Sequence, residues 1–262
     1  MNRTRRAPWP LVVLALVAVA FYVVPLLALV IEVPWSALAD LLGDDAVLDA
    51  LRLSLVTALA ATGISLLLGV PLAWMLARAT IPARSFVRGL VLLPMVLPPV
   101  VGGAALLFAF GRRGLVGEWL HEQTDVLLPY STTGVVVAQT FVAMPFLVIT
   151  VEAALRSSDP RYEEVAATLG ARRWTTFWRV TLPAVRPALV AGAVLCWARA
   201  LGEFGATITF AGNLEGRTRT VPLAVFLALE RDREAALALS LVLVAVSLAV
   251  LVALRNRWMQ FR

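Results

Sequence analysis

Lysine is absent from this chain. All 23 of its basic residues are arginine. A Walker A loop holds nucleotide phosphates with a lysine, so the chain is excluded as a P-loop ATPase. Any ATP-driven step must come from another subunit. Cysteine is nearly absent too. Cys196 stands alone, which excludes an internal disulfide and a cysteine-rich metal motif. It reads as a small buried apolar residue. The one histidine, His121, lies in the polar stretch Arg112–Asp125 beside Glu118 and Glu122. One imidazole and two carboxylates fall short of a typical metal set, and they read as solvated. No apolar run carries a histidine or a carboxylate pair, which speaks against a membrane enzyme. Charge is sparse at 15% of residues, and no stretch is long and polar enough for a soluble domain. The expectation is one membrane domain, 1–262.

Apolar residues make up 60% of the chain, enough for repeated membrane crossings. Six runs approach the length a bilayer needs: 11–31, 53–77, 89–111, 134–151, 188–211 and 235–254. The fold class is therefore all-α and polytopic. A cleavable signal peptide competes for the first run, since Ala18-Val19-Ala20 has a small-x-small form. The run continues to Ile31, too long for a signal core, so it reads as an uncleaved span. The third run holds Pro94, Pro98 and Pro99. These fit either a simple kink or a bent helix lining a pathway. Met144-Pro145 kinks the fourth. The acidic loop Glu32–Asp49 has room for a short surface helix, and 222–229 for a surface or re-entrant one.

The arginines set the orientation. With the N-terminus inside, fifteen fall in inside segments: 3, 5, 6, 78, 84, 88, 156, 161, 172, 173, 179, 186, 255, 257 and 262. Seven fall outside: 52, 112, 113, 217, 219, 231 and 233. The positive-inside rule then puts both termini, and the segment 156–187, in the cytoplasm of a plasma-membrane protein. This clustering explains the net charge of +6 without any nucleic-acid partner.

Segment 156–187 is the longest polar interruption that is also strongly basic, and it sits between two long apolar runs. Asp159-Pro160 is a helix start. Glu163 and Glu164 suit its positive end. Val165 and Leu169 share a face. Gly170 ends the helix. Trp174, Phe177 and Trp178 fall at helical spacing in a second short helix. Two short helices at a sharp angle result, either bound to headgroups or docked on another protein. Glu164, Val165 and Ala166, then Gly170, then Val180, Leu182 and Pro183 resemble the EAA loop of ABC importer permeases. Val165 replaces the first alanine of that pattern. The resemblance implies a coupling helix, Glu163–Thr176, docking on a cytoplasmic ATPase. Glu163, Glu164, Ala166, Gly170, Ala171, Leu182 and Pro183 are its expected coupling residues.

Charges inside a span are costly and tend to be paired or functional. Arg199 and Glu203 are one helical turn apart and can pair, fixing packing, forming a gate or meeting an anion. Gly202 and Gly205 flank the glutamate and permit close approach or a local break. The stretch Ala198–Phe210 (ARALGEFGATITF) resembles a segment of tetrahedral-oxyanion permeases. So do Asn213 with Thr218–Pro222, Leu93–Val101, and Gly111–Gly114. With the EAA-like loop, these motifs resemble the permease subunit of molybdate ABC transporters from about Leu51 to Leu254.

The resemblance implies the type I ABC importer permease fold, working as a homodimer in the bilayer with a pathway on its two-fold axis. It implies two copies of an ATPase subunit below, which bind the ATP and Mg. A molybdate-binding protein would deliver the anion on the outer face, and this chain would need no cofactor. The expected pathway and gating residues are Arg199, Gly202, Glu203, Phe204, Gly205, Thr207, Thr209, Pro98 and Pro99. Tungstate nearly matches molybdate in size and charge. Sulfate and thiosulfate permeases are similar but vary within the GEFGATITF stretch. A proton-coupled secondary transporter would need a titratable group in the pathway, for which Glu203 is the only candidate.

Overall fold

The computed structural model describes residues 8–36 and 38–258, all helices and turns with no strand among them. Arg3, Arg5, Arg6 and Arg262, counted above for orientation, lie outside the described residues. Four helices contain runs long and apolar enough to cross a membrane alone: α1 (Trp9–Glu32), α3 (Asp45–Arg78), α7 (Thr132–Ser157) and α14 (Arg233–Trp258). Each extends past its predicted span at both ends. Polar caps fix two of the starts. The Asp44 carboxylate accepts from Ala46 N at 2.8 Å, and Ser131 Oγ accepts from Gly134 N at 3.0 Å.

The run 89–111 is not one straight helix. It forms α4 (Arg84–Val96) and α5 (Pro99–Phe110), which meet at 118°. At 1.5 Å per residue each is about 20 Å long or less, short of a ~30 Å hydrocarbon core. The cause is local. Pro98 forces Leu97 into an extended conformation, with ψ 138°, and Pro99 opens α5 where a missing N–H does no harm. The run 188–211 also divides, into α11 (Arg186–Leu201) and α12 (Gly205–Phe210), with residues 202–204 unwound. Among the described residues four helices are long and apolar enough to cross alone, or up to six spans if two bent pairs, α4 with α5 and Arg173–Ala184 with Arg186–Leu201, each count as one.

The surface elements are α2 (Leu38–Leu42), α6 (Gly117–Thr124) and α13 (Val221–Arg231). α2 and α13 fall where the sequence has room for short surface helices, and α6 forms within the polar stretch Arg112–Asp125. His121 Nδ1 there lies 3.5 Å from Asp125 one turn on. Among the described residues no three His, Cys, Asp or Glu side chains are grouped to hold a metal.

α3, α7 and α11 form the main core. Ala58, Ala61, Ala73, Ala143 and Ala200 are buried and let the backbones approach, while Leu147, Leu155 and Trp197 fill the space between. Cys196 is buried in this cluster, as expected of an apolar residue. A second cluster joins α5, α7 and α12 through Leu106, Ala138 and Phe210. No residue of α1 is buried, so its apolar surface is left for lipid or a neighbour. The Glu32–Arg233 ion pair ties the end of α1 to the start of α14.

Candidate functional site

Two regions collect the residues singled out above. The first follows α7. Asp159 Oδ1 accepts from Arg161 N at 2.9 Å and starts α8 (Arg161–Thr168). The helix ends in a Schellman turn. Gly170 N donates to Ala167 O and Ala171 N to Ala166 O, both at 3.0 Å. Gly170 takes φ +81°, the left-handed region that favours glycine. This accounts for Ala166, Gly170 and Ala171 as a geometric unit. The chain then reverses into α9 (Arg173–Thr176), a π-helical turn over Phe177–Thr181, and α10 (Leu182–Ala184). Pro183 has no N–H for the helical ladder, which the wider turn accommodates. α10 meets α11 at a 74° bend.

The two glutamates of α8 differ. Glu163 faces inward. Its Oε1 lies 3.4 Å from Arg78 Nε and accepts from Thr181 Oγ1 at 3.1 Å. Arg78 also donates to Ser158 Oγ at 2.7 Å and Ser158 O at 3.2 Å. Glu163 therefore braces α8 against the end of α3. Glu164 is exposed. So are Tyr162, Val165 and Leu169, the last at 82%, and their i, i+3, i+7 spacing makes one outward apolar stripe. Leu182 packs on the main core, and Pro183 is exposed.

The second region lies where two helices are interrupted side by side. Arg199 Nη1 sits 2.6 Å from Glu203 Oε2, so the predicted pair forms. Glu203 is 1% exposed, and its other oxygen accepts from Ala206 N at 2.8 Å. The carboxylate thus holds α11 and α12 together across the unwound residues. Gly202 is exposed, and the Phe204 ring sits 5.1 Å from that of Phe226. Gly205 packs on Pro99, where an added Cβ would lie 2.6 Å from the proline Cβ. Gly103 gives α5 the same close approach to Ala206 and Thr209. The structure therefore brings Arg199, Glu203, Gly205 and Pro99 to one place, with Pro98 at the adjoining bend. Thr209 Oγ1 donates to Gly205 O at 2.8 Å. Thr207 and Gln139 are fully buried, and their polar side-chain atoms have no partner among the described residues.

Sequence reasoning missed one network. Glu152 is 2% exposed, with Arg156 Nη2 at 2.6 Å and Arg88 Nε at 3.3 Å. The Arg88 contact is ionic without an aligned hydrogen bond. It fastens α4 to α7 at the α8 end of the bundle. The i, i+4 spacing of Glu152 and Arg156 was a legible signal, while Arg88 was too distant in sequence. On the opposite side, Asn213 Oδ1 accepts from Arg219 Nε at 3.1 Å, and Thr218 Oγ1 accepts from Leu214 N at 2.8 Å. The motif residues 213–220 therefore form one closed turn.

Comparison with known proteins is consistent with this arrangement. Residues 69–261 match the family described as "Binding-protein-dependent transport system inner membrane component". The chain is 51% identical to the Molybdenum transport system permease protein ModB of Mycobacterium tuberculosis, over 81% of this chain and 80% of that one. Two Escherichia coli proteins are each 39% identical. One is its ModB, over 80% of this chain and 92% of that one. The other is the Sulfate transport system permease protein CysT, over 79% and 75%. A bacterial ABC transporter crystal structure, of a system importing the acidic polysaccharide alginate, superposes with a TM-score of 0.73. It covers 97% of this chain and 96% of that one at 21% identity, a likeness of fold.

Proposed function

The chain belongs to the inner-membrane components of binding-protein-dependent transport systems, and from that premise we propose that it is the permease subunit of an ATP-driven molybdate importer. It is an integral membrane transport component, not an enzyme, and acts as a single membrane domain. The observation that carries the substrate is the 51% identity to a molybdenum permease over four-fifths of both chains, against 39% for a sulfate permease. Tungstate falls within the same size and charge.

Energy enters through the α8–α9 turn. The stripe Tyr162, Val165 and Leu169 has the anchor spacing of a helix laid into a partner's groove. That partner is the ATPase subunit, which binds the ATP and Mg. Two copies of it engage two copies of this chain, since each chain offers one such turn. Both termini and α8 face the cytoplasm, in keeping with the arginine distribution. A molybdate-binding protein docks on the other face, where 213–220 lies. Movement of α8 reaches α3 through the Glu163–Arg78 contact and α11 through the 74° bend. The interrupted helices α4–α5 and α11–α12 then change their packing around Glu203. Few cations lie within the membrane, so the pathway lets the anion leave readily, and selection rests with the binding protein.

Uptake of labelled molybdate and labelled sulfate in a strain lacking this gene tests the reading. Loss of molybdate uptake with sulfate uptake intact is the expected result. Loss of sulfate uptake alone would overturn the substrate. Uptake that survives Gly170→Pro and follows the proton gradient would overturn the ATP-driven mechanism.

A further inference from the structure

A groove of about 740 Å³ runs between α3 and the segment from α9 to α11. One wall is a stripe of α3: Gly63, Leu67, Val70 and Trp74. The other is built from Trp174, Phe177 and Trp178, whose rings pack with centroids 5.5–6.1 Å apart. The stripe spans twelve residues, a rise of about 16 Å from first to last. That is half of a ~30 Å hydrocarbon core, the depth of one leaflet. Its far end is open, since a Cβ on Gly63 would meet nothing within 4 Å. Its near end lies at the α8 side, where tryptophans suit a membrane interface.

The near end is also cationic. Arg173 lines the groove and, with Trp74 and Phe177, lines a second, polar cavity of about 590 Å³ behind α8. Arg78 and Glu163 border that cavity and are engaged with each other. Arg173 has no ion pair among the described residues, and neither do Arg172 and Arg179. An apolar slot about 16 Å long therefore leads to a guanidinium with no ion pair among the described residues.

We propose that this groove binds an anionic phospholipid, with one acyl chain along Gly63–Trp74 and its phosphate at Arg173. The groove volume lies within the ~300–1,000 Å³ of a specific small-molecule site. The apolar-to-cationic order along the bilayer normal fits a phospholipid and fits a peptide or a soluble anion poorly. Leu67 on its rim is 73% exposed, so a chain can enter sideways from the bilayer. A bound phosphate would sit against the turn that follows α8 and touch the cavity holding Glu163.

The test is native mass spectrometry of the full chain purified in mild detergent. It is mixed with phosphatidylglycerol or phosphatidylcholine, and wild type is compared with Gly63→Phe, Arg173→Gln and the distant control Arg112→Gln. Wild type and Arg112→Gln should retain phosphatidylglycerol in preference to phosphatidylcholine. Arg173→Gln should cut that preference about fivefold, equivalent to about 1 kcal/mol for one arginine at an anionic surface. Gly63→Phe fills the slot and should cut retention of both lipids at least tenfold. Melting temperatures of the purified variants check that each is folded, and either variant alone can decide the matter. Equal retention of phosphatidylglycerol by all four proteins would overturn the proposal. So would a disulfide-linked dimer formed by Leu67→Cys in a Cys196→Ala background, since a second copy would then occupy the groove.

Discussion

Removing the Glu203 carboxylate should destabilise the fold by an amount set by its two contacts. Glu203 is almost fully buried, pairs with Arg199 and caps Ala206 N across the unwound residues. Deleting one member of a buried pair typically costs about 3–5 kcal/mol, because the other charge stays uncompensated. The Arg199 side chain keeps 28% exposure and some access to water, which places Glu203→Ala at the lower end, about 3 kcal/mol. That is a shift of roughly a hundredfold in the folding equilibrium. Glu203→Gln retains an acceptor for Ala206 N and should recover about 1 kcal/mol of the loss. The assay is denaturant titration of the purified permease in micelles, with Arg199→Gln and the double variant completing a cycle. The account predicts a coupling of at least about 1 kcal/mol between the two sites. Additivity within about 0.5 kcal/mol, or a Glu203→Ala variant as stable as wild type, would refute it.

Further predictions concern the coupling turn and the helix contacts. Leu169→Asp changes a residue on the outer stripe of α8, so stability should stay within about 0.5 kcal/mol, while co-purification with the ATPase falls at least tenfold. Gly170→Ala should cost about 1–2 kcal/mol at φ +81°, read as faster amide exchange in α8 with the core unchanged. Gly205→Ala should lose about 1–3 kcal/mol by forcing α12 away from Pro99, measured by thermal unfolding. Glu152→Gln should release α4 from α7, seen as increased proteolysis at the 79–83 connection with α3 and α7 still protected.

The sequence was most legible where the physics is local. Asp159, Gly170 and the spacing of Arg199 and Glu203 each act within one helical turn, and each appears in the structure as read. Hydropathy located the apolar runs but not their bends. Leu97-Pro98-Pro99 marked the break in 89–111, yet the 118° angle depends on α5 packing against α12 through Gly103 and Gly205. Hydropathy equally ran 188–211 together, because the unwound residues 202–204 are uncharged but for a glutamate whose partner lies in the same run. The Arg88–Glu152 and Arg78–Glu163 contacts join residues 64 and 85 positions apart, and no periodicity carries that information. Glu164 stood out with Glu163 in the motif, while only the packing of α8 against α3 separates the inward brace from the exposed neighbour.

The most direct test is transport in proteoliposomes holding the permease and its ATPase subunit, with the binding protein outside and ATP inside. Labelled molybdate and labelled sulfate are followed in parallel. The account predicts ATP-dependent accumulation of molybdate that tungstate competes away, little accumulation of sulfate, and loss of both uptake and ATPase docking in Leu169→Asp. Molybdate accumulation without ATP, or full ATP-driven uptake by Leu169→Asp, would contradict it.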